Sequence, residues 1–167
     1  MSKIVFTLAA IMTLAPPLSA QSSAAHVSSS REVGGPLPFA IPSLHVGPTA
    51  LRAAPGRRLY VVMIELGEEP IETEVRRFLL VTSGGTLEPI GAGASGELII
   101  PFDRLPDRQE VGVILPSDAI VALTRQSATS VVLEVGPRGA VALLYELPEA
   151  ASVRSLRLPG GRELAMP

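Results

Sequence analysis

The residues most able to do chemistry in this sequence are a glycine-rich run, two histidines, two carboxylate clusters and two arginine pairs. Gly91-Ala92-Gly93-Ala94-Ser95-Gly96 has the glycine spacing of a dinucleotide fingerprint, in which a tight turn brings a helix N-terminus to a pyrophosphate. Glu97-Leu98-Ile99-Ile100-Pro101 follows, a strand stopped by proline, so the run reads as a flexible loop between strands and no cofactor is assigned. His26 and His45 lie nineteen positions apart with only Glu32 nearby, short of the converging ligands that zinc requires, and read as surface histidines. Glu68, Glu69, Glu72 and Glu74 cluster at a turn, and Asp103, Asp107 and Glu110 flank Arg104-Leu105-Pro106. Two such acids can serve glycoside hydrolysis, which also needs a sugar platform. The chain has no tryptophan and, beyond residue 20, only the aromatics Phe39, Tyr60, Phe78, Phe102 and Tyr145. The first cluster lacks the Asp and Asn spacing and the fixed glycine of a calcium loop, and reads as a solvated acidic turn. No catalytic or metal-binding residue is assigned.

The arginine pairs are Arg57-Arg58 and Arg76-Arg77. Adjacent strand residues face opposite ways, so each pair offers one guanidinium per face. If their strands pair, the arginines form an anion-binding rung or salt-bridge to Glu65 and Glu74, as on ordinary sheet surface. Arg58 and Arg77, with Phe39 and Ile41, are the candidate interaction surface.

Positioning these side chains falls to three segments. Residues 1–20 read as a cleavable secretory signal: Lys3, then the apolar Ile4 to Leu14, the helix-breaking Pro16 and Pro17, and Leu18-Ser19-Ala20 before the cut. The apolar run has eleven residues, against about 20 for a membrane span, and no later run approaches that length. Residues 21–56, rich in Ser, Pro and Gly, read as a largely disordered tether. Within them Leu37-Pro38-Phe39-Ala40-Ile41-Pro42 is extended by its prolines, and packs on its own domain or adds to a partner's sheet edge.

Residues 57–167 read as the folded domain. Leu59 to Leu66 is apolar on both faces, as in a central strand. Glu74 to Thr82, Thr86 to Ile90, Glu97 to Phe102, Val111 to Leu115, Ser130 to Val135, Ala140 to Leu147 and Val153 to Leu158 are further strands. Ala119 to Gln126 fits either a short helix capped by Ser117 or Asp118, or a strand. Ser130 to Leu147 reads as a hairpin through Gly136-Pro137-Arg138-Gly139, with Glu134 and Glu146 outside. The expected fold is all-β, an immunoglobulin-like β-sandwich of about seven to nine short strands behind a flexible N-terminal tether.

Composition narrows the function. Lys3 is the only lysine among fourteen basic residues, leaving thirteen arginines against sixteen Asp and Glu, so no basic face for nucleic acid is expected. With no cysteine there is no disulfide and no thiolate chemistry. The segments Val61 to Leu66 with Gly67-Glu68-Glu69-Pro70-Ile71, Phe78-Leu79-Leu80-Val81 with Gly84-Gly85, Val135-Gly136-Pro137-Arg138-Gly139, Leu143-Leu144-Tyr145-Glu146-Leu147-Pro148 and Ser155-Leu156-Arg157-Leu158 carry a resemblance. Their order resembles bacterial exported immunoglobulin-like domains related to the extracellular immunoprotective family. The resemblance implies a binding or structural module and transfers no catalytic residue. The function expected is that of a non-enzymatic binding or accessory module of the bacterial cell envelope, periplasmic or secreted, with an envelope protein as partner. The alternatives are an envelope hydrolase using surface carboxylates, and a subunit donating Leu37 to Ile41 to a partner sheet.

Overall fold

The computed structural model describes residues 24–39, 49–105, 110–114 and 120–167. The expected signal segment, residues 1–20, lies outside them. Among the described residues fifteen strands follow one another: β1 (His26–Val33), β2 (Leu37–Phe39), β3 (Thr49–Leu51), β4 (Arg57–Glu65), β5 (Ile71–Glu74), β6 (Leu79–Thr82), β7 (Gly85–Leu87), β8 (Gly91–Ser95), β9 (Leu98–Pro101), β10 (Glu110–Ile114), β11 (Ile120–Ser127), β12 (Ser130–Val135), β13 (Ala140–Pro148), β14 (Val153–Arg157) and β15 (Glu163–Ala165). Every pairing is antiparallel. The strand orders are β1-β4-β13-β8-β9, β10-β11-β12-β5, β15-β14-β6-β7 and β2-β3. The fold is all-β, and among the described residues no helix is long and apolar enough to cross a membrane.

The five-stranded sheet is the middle layer because its central strands are apolar on both faces. In β4 and β13, Val62 faces the core opposite Leu143, and Ile64 opposite Val141. These join one large cluster with Leu123 and Leu133 from the β10–β12 sheet and Leu80, Leu156 and Leu164 from the β6–β15 sheet. The alternate residues Leu59, Val61, Ala142 and Leu144 form a second cluster on the opposite face. There Leu37 of β2 covers them, with Leu51, Ala53 and Val33 packed alongside. Each buried Leu, Val or Ile contributes about 1.5–3 kcal/mol.

The structure corrects the expected tether. His26–Val33 is an eight-residue strand laddered to β4, and Leu37–Phe39 pairs with β3, so folded structure begins well before residue 57. Serine is a poor core former but costs little on an edge strand whose outward side chains stay wet. The β4 ladder supplies the backbone partners. Phe39 and Leu37 are buried, which uses up the apolar face that strand donation would need. Ile41 lies outside the described residues. The expected seven to nine strands become fifteen, partly because long runs divide. Glu74 to Thr82 is not one strand: a 3-10 turn, Val75–Arg77, interrupts it. Val75 and Phe78 are both fully buried in the large cluster. Three positions apart, they would face opposite ways in a strand, whereas a 3-10 turn puts them on one side.

Ser130 to Leu147 is not a hairpin either. β12 pairs with β11 and β5, while β13 pairs with β4 and β8. The Gly136–Gly139 link carries the chain from one sheet to another, with Arg138 at φ 55°. The Arg138 amide donates to Gly67 O and the Leu66 amide to Gly139 O, both at 2.9 Å. The link is thereby bonded to the β4–β5 crossover rather than closing on its own strands. Arg138 Nε reaches both Glu68 carboxylate oxygens at 2.8 Å, which raises the guanidinium pKa further. On the outer sheet, hydrogen bonds from Arg157 and then Ser155 hold the Glu163 carboxyl below the usual range. Ile120–Ser127 is a strand, which decides between the two readings of Ala119 to Gln126.

Gly91–Ser95 is likewise a strand, and its first four residues are buried. The small side chains let β8 lie against the bulky β13, with Ala92 opposite Leu143. Gly91 sits tightly against β9, so a side chain there would press on the neighbouring backbone. A Cβ there would meet Ile100 O at 3.0 Å and Pro101 Cα at 3.2 Å. Gly91→Ala is expected to destabilise the domain by about 1–3 kcal/mol, as overpacking does. Urea denaturation checks this, and an unchanged midpoint would refute the tight β8–β9 contact.

Tyr145 is fully buried and donates its hydroxyl to Phe78 O at 3.1 Å. Burial pushes its pKa well up. Above the ordinary tyrosine value of about 10 the unfolded chain releases this proton and the folded chain keeps it. Stability therefore declines as pH rises, by about 1.4 kcal/mol per pH unit from this residue. With no cysteine and one lysine, few other side chains titrate there. Tyr145→Phe is expected to cost about 1 kcal/mol at pH 8, where the hydrogen bond is lost. It should also remove this share of the alkaline decline, so the gap between the two curves narrows above about pH 10. Parallel denaturation curves across that range would contradict the assignment.

Candidate functional site

One end of the β4–β13 pair is built from turns that gather arginines. Ala54-Pro55-Gly56-Arg57 has the proline and glycine placement of a type II turn, and Gly56 supplies the left-handed φ of 73°. The Arg57 amide closes the turn on Ala54 O at 3.0 Å. The Glu149 amide then donates to Gly56 O at 3.1 Å, fastening this turn to the one after β13. Gly34-Gly35-Pro36, between β1 and β2, makes the third wall. These walls enclose an open groove of about 490 Å³. Arg52, Arg57 and Arg58 line it, offset by Glu32 and Glu149, over apolar groups of Val33 and Leu59.

Arg58 is the most constrained of the three. Its Nη1 lies 2.6 Å from Glu32 Oε2, and its Nη2 donates to Ala151 O at 2.7 Å. Its Nε is buried without an acceptor among the described residues. Arg57 is half-exposed, 4.0 Å from Glu146 Oε2. Glu146 Oε1 accepts the Ala54 amide at 2.7 Å, so this carboxylate is partly covered rather than outside as expected. Arg52 is exposed and makes no hydrogen bond or ion pair among the described residues. Among the described residues the lining consists of arginines, glutamates, glycines and apolar side chains.

The candidates from sequence are dispersed. Arg57 and Arg58 face opposite sides of β4, as strand geometry requires, and both edge the groove because it sits at the strand's start. Arg77 stands on the Val75–Arg77 turn, 3.8 Å from Glu74. Arg76 lies 3.6 Å from Glu88. β4 is not paired with that segment, so Arg58 and Arg77 form no common rung. Glu65 takes His26 at 3.6 Å rather than an arginine. Phe39 is buried, and His45, Ile41 and Asp107 lie outside the described residues. Among the described residues no three His, Asp or Glu side chains gather to hold a metal. The groove residues missed from sequence were Arg52, Glu32 and Glu149. The Pro55-Gly56 turn signal was available, but not the pairing that brings three distant turns together.

A second concavity, about 470 Å³, lies over β5 and β12 beside Pro70, Ile71 and Val135. At its margin Glu72 and Glu134 stand directly opposite in the ladder, both exposed.

Comparison with models of protein families, with curated proteins and with solved structures found no match to this chain.

Like charges directly opposed across two strands are destabilising. Glu134→Lys is expected to raise stability by about 0.5 kcal/mol, within the range of cross-strand pairs. Chemical denaturation at low ionic strength checks this, and the gain should shrink in high salt. A loss of stability in low salt would show that Glu72 and Glu134 do not oppose each other.

Proposed function

We propose that this chain is an exported, non-enzymatic binding or accessory module of the bacterial cell envelope, periplasmic or secreted, that meets its partner through the arginine-lined groove. The observation that carries this reading is the groove itself: among the described residues, three guanidiniums gather where the turns flanking the β4–β13 pair are bonded together. Export is supported by Lys3, the apolar Ile4 to Leu14 and Leu18-Ser19-Ala20. The stacked antiparallel sheets around one large core support an immunoglobulin-like sandwich as the scaffold. In such domains turns at the ends of the sheets carry recognition, and the groove lies at such an end.

Arg77 leaves the expected interaction surface, since it stands apart on another sheet's turn. Arg58 stays as its anchor.

Photo-crosslinking in cells tests the reading. A benzophenone side chain is placed at Gly35 or Arg52, beside the groove, and at Thr86 or Glu163 as distant controls. The groove positions are expected to yield one defined adduct that the controls do not, and Arg58→Glu should abolish it. Mass spectrometry of the recovered chain should find Gln21 at its N-terminus. Equal labelling from all positions, or a hydrolytic activity in the purified chain, would sink the proposal.

A further inference from the structure

We infer that the groove receives an oxyanion, a carboxylate or phosphate group presented by whatever binds there; this rests on the reading of the groove as the binding site. Each guanidinium carries five N–H donors in a planar fork that matches such groups. Most of that capacity is unused. Arg58 commits one Nη to Glu32 and one to Ala151 O. Arg57 has only a 4.0 Å contact with Glu146, and Arg52 has no partner among the described residues. Glu32 and Glu149 in the lining, with Glu146 beside Arg57, balance the three positive charges, so the groove offers a surplus of N–H donors rather than a net charge.

A further observation favours a ligand that brings hydrogen-bond acceptors. Arg58 Nε is a buried donor that no acceptor among the described residues satisfies, and a buried donor left unmade is costly. Its two short bonds hold the guanidinium in place, so little side-chain freedom remains to be lost when an anion arrives.

The test is an amide ¹H–¹⁵N titration of the protein purified from cells expressing residues 1–167, with inorganic phosphate, with succinate, and with chloride at matched ionic strength. Phosphate or succinate is expected to give saturable shifts at Gly34, Gly35 and Ala53, with a dissociation constant of about 1 mM. Arg52→Gln and Arg57→Gln, both exposed positions, should keep the folded spectrum and weaken binding about tenfold each, the worth of one charge-assisted bond. Saturation by one probe alone identifies the group as phosphoryl or carboxylate. Shifts no larger than those from chloride, or unweakened binding in both variants, overturn the inference. If the groove still crosslinks a partner in cells while neither anion saturates, the oxyanion inference fails and the binding-module reading stands. If neither occurs, both fail.

Discussion

Everything in this domain depends on the pairing of β4 with β13. Nine residues of each lie in register, Arg57 opposite Pro148 and Glu65 opposite Ala140. Both strands are apolar on both faces, so neither is stable unless other layers cover them. The two four-stranded sheets close one face and the β2–β3 pair helps close the other. The pairing joins segments far apart in the chain, and its contacts are rewarded only after a long loop has closed. Other elements are local by comparison: β6 with β7, or β8 with β9, are neighbours in sequence that settle against a surface already made.

An antiparallel pair has two distinct ends, and here they serve different purposes. At the Glu65–Ala140 end both strands leave for the same neighbouring sheet, through Gly67–Pro70 and Gly136–Gly139. The two crossovers are bonded to each other through Leu66, Gly67, Arg138 and Gly139, and the Glu68–Arg138 pair lies across them. Backbone donors and charges are matched there, as a structural corner requires. At the Arg57–Pro148 end β4 is entered from the β2–β3 pair through the Ala54–Arg57 turn, and β13 leaves through residues 149–152 for β14 of another sheet. The groove lies among these links, with Arg52 and Arg57 exposed.

How much of this was legible follows from the physics of each element. The alternation in Ser130 to Val135 and Ala140 to Leu147, and the two-faced Leu59 to Leu66, revealed strands because burial writes a period into sequence. Which strands pair left no such mark. Gly136-Pro137-Arg138-Gly139 has turn chemistry whether the flanking strands meet or part, so a crossover was read as a hairpin. His26–Val33 was hidden by its serines, since an edge strand borrows its stability from its neighbour and needs little apolar surface of its own. Gly91–Ser95 was hidden for the opposite reason: its small residues suit a strand squeezed beside a bulky one, yet the same composition describes a loop. Arg58 was legible as a residue worth watching. Its partner Glu32 and its companions Arg52 and Glu149 were not, because the register of β1 on β4 and three separate turns bring them together.

The placement of charge at the groove end follows from the same strand geometry. A guanidinium at Arg58 sits on the face of β4 that carries Tyr60 and Val62, where the large core ends, and one at Arg57 sits on the face that carries Leu59 and Val61. Consecutive arginines at a strand's first two positions thus put a charge at the rim of each core without burying either fully. Farther along β4 the same side chains would enter an apolar layer and require paired carboxylates to be tolerated. Before β4 they would belong to a turn, with no ladder to hold their Cα positions. The first residues of the central strand are therefore where an arginine is both held by the sheet and open to solvent. A rigid scaffold that ends in half-satisfied donors has the physical form of a binding surface, because its order is secured by the core before any ligand arrives.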